Sequence, residues 1–136
     1  MSTGAASVTR TPGAAADAPR LLADTGALAA STRDPDERGA IWRLGEPTRH
    51  LDANVIAVPP GGTIDAHTGP DEDVLWHVLA GDGTLTTDEG EVPLAPGALV
   101  WLPRRSRRAV AAGSAGLRML TVHRRKPGMQ IGTRPA

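Results

Sequence analysis

Residues 59–83 read PPGGTIDAHTGPDEDVLWHVLAGDG, and residues 90–110 read GEVPLAPGALVWLPRRSRRAV. Turn-forming clusters punctuate both stretches at short, regular intervals: Pro59–Gly62, Gly69-Pro70, Gly81-Asp82-Gly83, Asp88–Gly90, Pro96-Gly97 and Pro103–Ser106. The runs between them are rich in Val, Leu, Ile, Thr and Trp and too short for ordinary helices. Extended outward with the same rule, which adds a turn at Gly113–Gly116, the pattern predicts strands at 40–44, 54–58, 63–67, 74–79, 83–86, 92–94, 99–102, 108–111 and 117–123. So many short strands in one compact stretch point to an all-β antiparallel sandwich or barrel. A closed or double-sheet roll is the economical way to dispose of the edges.

With 136 residues and 14.1 kDa the chain fits one domain. Residues 1–20 are Ala, Gly, Ser, Thr and Pro without a hydrophobic period, so a disordered leader is expected there. Residues 21–39 form an N-terminal arm, in which Leu21–Ser31 suits a short helix or an extended segment, and Gly26 counts against the helix. The barrel is expected over 40–131, with a short tail at 132–136. No Cys is present, which excludes disulfides, thiolate catalysis, Cys-ligated zinc and iron–sulfur clusters. Phe and Tyr are also absent, so the core is aliphatic and Trp42, Trp76 and Trp101 stand out, either filling it or lining a cavity.

The net charge of zero conceals a division. Residues 51–100 carry nine acidic groups and no Lys or Arg, whereas residues 101–136 carry nine basic groups and no acidic one. A basic C-terminal third can be a nucleic-acid patch. Near-complete cancellation, without base-stacking aromatics beside the arginines, favours mutual neutralisation across a sheet instead. Contacts are therefore predicted between Asp71–Asp73 and Arg104–Arg108, and no nucleic-acid partner is expected. The uncharged stretch Val92–Pro103 has 12 residues, against the roughly 18–20 that a membrane helix needs. The N-terminus lacks a basic start followed by an apolar block, so no secretory signal is read and the cytoplasm is the expected compartment.

The two opening stretches resemble the two motifs of the cupin superfamily. The resemblance runs from about Trp42 to Ile131 and includes an ending, GLRMLTVHRRKPGM at 116–129, similar to small actinobacterial-type cupins of undefined function. It implies a jelly-roll barrel, that is, a double-stranded β-helix. Gly61, five residues and then His67 match the opening of the first motif; Gly97, five residues and then Pro103 match part of the second. The family pattern places two histidines one residue apart, then a glutamate, and a last histidine in the second motif. Here His67 fills the first position and Gly69 stands at the second. The glutamate slot falls on Asp73 counted forward from His67, or on Val74 counted back from Gly81. Arg108 stands at the last position. The standard three-histidine, one-glutamate site is absent.

No cofactor is expected on that basis. If one is bound, it is a divalent transition metal (Zn, Fe, Ni or Cu) on a rearranged set of His67, Asp73, His77 and His123. Alternation groups Asp73, Leu75, His77 and Leu79 on one strand face and Val74, Trp76 and Val78 on the other, and the sequence leaves open which face points inward. His123 shares a face with Leu117, Met119 and Thr121. His50 lies in a loop-like segment and is expected to face solvent.

Three functions compete. The first is a small cupin that binds a small molecule, an anion being one candidate, in the barrel through His67, Trp76, Trp101 and Arg108. The second is a metal-dependent enzyme of dioxygenase or isomerase type that uses His67 with Asp73, His77 or His123. The third is a sensor or regulatory cupin whose basic C-terminal third contacts a partner. The resemblance also implies a homodimer, for which the arm Leu21–Leu28 offers apolar surface. No Ser-His-Asp spacing, phosphate-cradling glycine loop or dinucleotide fingerprint is present.

Overall fold

The structure is a computed structural model that describes residues 18–31 and 36–126. The leader expected over 1–20 lies mostly outside these residues, as does the expected tail. Where residues 18–20 are described they are docked: Arg20 pairs with Glu46 and donates to the Ala18 carbonyl at 3.0 Å.

One helix and seven strands follow: α1 (Thr25–Ala30), β1 (Gly39–Arg43), β2 (Leu51–Val58), β3 (Thr63–Thr68), β4 (Val74–Thr87), β5 (Gly90–Leu94), β6 (Leu99–Leu102) and β7 (Arg107–Arg124). In α1 the Asp24 carboxylate accepts from the N–H groups of Gly26 and Ala27, a cap that offsets the weak helix propensity of a Gly-containing turn. Two of the expected turns are not turns. Gly81-Asp82-Gly83 and Gly113–Gly116 lie inside β4 and β7, so four expected strands merge into two long ones. Sequence cannot distinguish a glycine that reverses a chain from one that bends it between two layers.

Those bends build the fold. The first halves of β4 and the last half of β7 join β1, β2 and β6 in one layer, ordered β1-β2-β7-β4-β6. Their other halves join β3 and β5 in a second layer, ordered β3-β7-β4-β5. Every pairing is antiparallel, and the result is a jelly-roll-like flattened barrel. The ladder between β4 and β7 slips at Val78/Ala80 and at Gly81/Gly83, where the strands cross from one layer to the other. A Cβ on Gly81 would lie 2.0 Å from the Gly116 carbonyl oxygen, and Gly81 has φ +81°. Glycine is required there for both reasons.

The core between the layers comprises Val58, Val74, Trp76, Val78, Leu85, Leu94, Leu102, Val110, Ala112, Leu117 and Met119. Each fully buried Leu, Val or Met contributes about 1.5–3 kcal/mol. The register left open by the sequence is thereby settled: Val74, Trp76 and Val78 face in, and Leu75 and His77 face out. The outer face of the first layer is partly covered by the arm. Val55 and Ala57 are buried outside the main core, and Arg118, the cross-strand partner of Ala57, donates to the Leu28 carbonyl at 2.7 Å and lies 3.7 Å from Glu37.

Candidate functional site

His67 and Arg108 are cross-strand partners on β3 and β7, so their side chains leave the same face of the second layer. The His67 ring is exposed, and its Nδ1 lies 2.8 Å from the Asp65 carbonyl oxygen. A carbonyl only accepts, so Nδ1 carries the proton and Nε2 keeps its lone pair in the neutral ring. Arg108 is the opposite case, with 3% of its surface exposed. Its Nε donates to the Ser106 carbonyl at 3.1 Å, and its Nη2 donates to the Ser106 hydroxyl at 2.7 Å and to the Pro103 carbonyl at 3.2 Å. No carboxylate pairs with it among the described residues. Burial lowers its pKa from the usual arginine value, yet a guanidinium titrates so far above neutrality that it stays charged.

The guanidinium lies directly over Gly69. A Cβ built on Gly69 would meet Nη2 at 2.2 Å and Cζ at 2.3 Å. Glycine at 69 and arginine at 108 are therefore one arrangement, because the second side chain occupies the volume the first gives up.

The other expected ligands do not gather around this point. Asp73 accepts from the Arg104 N–H through Oδ1 at 2.9 Å. His77 lies on the outer face, exposed, between Leu99 and Leu120. His123 is opposite Val74 and points to the inner side, with its Nδ1 2.9 Å from the Arg124 carbonyl. Among the described residues no group of three or more His, Asp or Glu is close enough to hold a metal. His67, Asp73, His77 and His123 therefore do not gather into one cluster among the described residues. The ligand-lining tryptophans also separate, since Trp76 is buried in the core and Trp101 is on the outer surface.

The expected charge contacts are present at the rim. Arg105 pairs with Asp71, and its N–H donates to the Pro70 carbonyl at 2.7 Å, which holds Arg105 at φ +60°. Glu72 is buried, 3.5 Å from Arg124 and 3.8 Å from Lys126, so the acidic loop is not simply solvated. The Asp71–Arg105 pair is exposed on both sides. Asp71→Asn is expected to cost no more than about 1 kcal/mol in a urea melt, with most of the difference gone at high salt.

A cleft of about 350 Å³ was not legible in the sequence. It is lined by Ala40, Arg43, Leu44, Arg49, Asp52, Asn54 and Ile56. Arg43 pairs in register with Asn54, and Asn54 with the buried Thr121, so this is the inward side of the β1–β2 edge. Arg49 donates through Nε to Asp52 at 2.7 Å and through Nη1 to the Glu46 carbonyl at 2.9 Å. Arg43 makes no hydrogen bond or ion pair with the described residues. One uncommitted guanidinium, one amide and one fixed ion pair can hold a small anion.

The profile of the cupin domain family matches residues 54–123. The chain is a cupin. Its fold is similar to a cupin domain from Schizosaccharomyces pombe, with a TM-score of 0.56 at 15% identity, over 62% of this chain and 59% of that one. A cupin 2 conserved barrel domain protein from Salinispora arenicola matches with a TM-score of 0.53 at 27% identity, over 60% of this chain and 71% of that one. A putative sugar phosphate isomerase from Acidithiobacillus ferrooxidans matches with a TM-score of 0.52 at 29% identity, over 59% and 53%. The cupin thus answers to under three fifths of the length of two of these chains. No curated protein matches it. No helix among the described residues is long and apolar enough to cross a membrane.

The motif alignment now has a physical reading. The slots of the second and the last histidine hold Gly69 and the Arg108 cation, and the glutamate slot falls on Asp73, whose Oδ1 accepts from the Arg104 N–H, or on Val74, which is buried in the core. One histidine slot offers no side chain and the other repels a cation. These residues do not fit the family's metal.

Proposed function

We propose that this cupin is a metal-independent binding module for a small anionic molecule, held in the cleft between β1 and β2. The observation that carries the reading is the Arg108 guanidinium lying on Gly69 where ligands to a metal would converge. It removes the metal chemistry that an enzyme of dioxygenase or isomerase type would use. Binding then falls to the polar cleft, whose volume suits a small ligand. Arg43 supplies the recognising charge, and carboxylate and phosphate are the groups its planar fork matches. The sugar-phosphate name of one similar structure makes sugar phosphates the first compounds to test, beside small carboxylates.

Calorimetric titration in the presence of a chelator tests this. Binding that survives the chelator and weakens about tenfold or more in Arg43→Ala is the expected result, since a charge-assisted hydrogen bond contributes about 1.5–3 kcal/mol. Near-stoichiometric Zn, Fe, Ni or Cu in untagged protein, lost in His67→Ala, would overturn it.

A further inference from the structure

The cleft between β1 and β2 holds a second recognition element beside Arg43. Asp52, Asn54 and Ile56 alternate along the inward face of β2, so the cleft wall passes from a carboxylate through an amide to a hydrocarbon in steps of about 7 Å. Arg43 stands across from Asn54, and Ala40 across from Ile56. An anion on Arg43 therefore has Asp52 to one side and apolar surface to the other.

A free Asp52 would repel that anion, but its charge is already cancelled, because Arg49 donates to Oδ1 through Nε at 2.7 Å. The pair still leaves acceptor capacity unused. A carboxylate can accept about four hydrogen bonds, and Oδ2 of Asp52 accepts none from the described residues; the Asn54 side chain makes none with them either. The carboxylate is also held in place. Arg49 donates through Nη1 to the Glu46 carbonyl at 2.9 Å, and its own carbonyl accepts from Arg125 Nη1 at 3.5 Å. The Arg125 backbone N–H donates to the His50 carbonyl at 2.9 Å, which ties the same loop to the end of β7. An acceptor fixed in this way loses little rotamer freedom when a donor arrives.

We propose that the cleft selects anions carrying a hydroxyl group a few carbons from their charge, and that Asp52 is the residue that sets this specificity. The proposal rests on the reading of the cleft as an anion site and names its ligand class. Arg43 takes the phosphate or carboxylate, the ligand hydroxyl donates to Oδ2 of Asp52, and Ile56 and Ala40 meet the ligand's C–H groups. A hydrocarbon beside Asp52 would take water from a charged oxygen without replacing the hydrogen bond. A second anionic group would be repelled by the carboxylate. An ammonium would be repelled by the Arg49 guanidinium bonded to that same carboxylate, which leaves a neutral donor as the fitting group.

Calorimetric titration of the full chain with two matched sets of compounds, in the presence of a chelator, tests the proposal. n-Propyl phosphate and glycerol 3-phosphate differ only in hydroxyls; propanoate, 3-hydroxypropanoate and 3-aminopropanoate differ only in the group on the last carbon. In the set whose head group suits Arg43, the hydroxylated compound is expected to bind about tenfold or more tighter than its unsubstituted match. Asp52→Ala is expected to bring that ratio to about one, and so is Asp52→Ala with Arg49→Ala, which leaves the net charge of the cleft as it was. The ratio is the readout because Arg49, freed in the single variant, strengthens the binding of every anion. Equal binding of matched compounds that is still lost in Arg43→Ala would overturn this proposal and leave the anion reading standing. So would a preference that survives both Asp52 variants, or tighter binding of the amino compound than of the hydroxy compound. Binding of none of them, or binding indifferent to Arg43→Ala, would overturn the anion reading and this proposal with it.

Discussion

Gly81→Ala is expected to destabilise the barrel by about 3 kcal/mol or more, enough to lower the melting temperature by roughly 12–25 °C in a domain of this size. Two costs combine. A left-handed backbone conformation at φ +81° costs an L-residue about 1–2 kcal/mol. The new Cβ would also lie 2.0 Å from the Gly116 carbonyl oxygen. That oxygen belongs to the backbone of the neighbouring strand and cannot rotate away, so β4 and β7 must part where they cross between layers. Gly97 provides the control, with φ +92° and no heavy atom within 4 Å of an added Cβ. Gly97→Ala should show the conformational cost alone, about 1–2 kcal/mol. Thermal melts of the two variants side by side decide the point, and equal losses would show that the crossing is looser than the structure has it.

The paired change Gly69→His with Arg108→His is expected to raise Zn²⁺ uptake from little or none in the unaltered protein to near-stoichiometric. Arg108→His alone removes the repelling cation but leaves one slot without a donor. Gly69→His alone meets the guanidinium at 2.2 Å. Together they place imidazoles at 69 and 108 beside His67, whose ring is already oriented. Its Nδ1–H donates to the Asp65 carbonyl, the outer hydrogen bond that metal-bound histidines ordinarily make, and Nε2 is left as the ligand atom. Calorimetric titration with Zn²⁺ measures the gain, which His67→Ala should abolish in the paired variant. A folded paired variant that takes up no metal would show that Gly69 and Arg108 are not what closes the site.

The sequence was most informative where one strand face is apolar and the other polar or where turns are unambiguous. β6 was expected at 99–102 and observed there, and β3 differed by one residue. Val74–Leu79 was ambiguous for a physical reason. Leu75 is apolar but faces out, so both faces of that strand are largely apolar and alternation does not show which is buried. Gly81 and Gly113–Gly116 were read as turns because a bend between layers needs the same residues as a reversal. The candidate site was legible only as an erosion. His67, Gly69 and Arg108 were placed by motif spacing, but the fit of a guanidinium over a glycine 39 positions earlier is a three-dimensional fact with no local sequence signal. Arg43, Arg49, Asp52 and Asn54 share no motif, and only the β1–β2 register brings them to one cleft.

The two long strands that run through both layers also govern how the barrel forms and opens. β4 and β7 pair from Val74↔His123 to Thr86↔Ala109, so neither layer can detach without breaking the same ladder. The layers should therefore gain and lose structure together, in a single all-or-none transition. Closing that ladder brings together residues far apart in the chain before any local helix can help, which places folding in the millisecond-to-second range. In native-state hydrogen exchange, amides along the β4–β7 ladder should be released only by global unfolding. Those of β1 and β5, each paired on one side only, should be released by fraying that leaves the rest of the barrel standing.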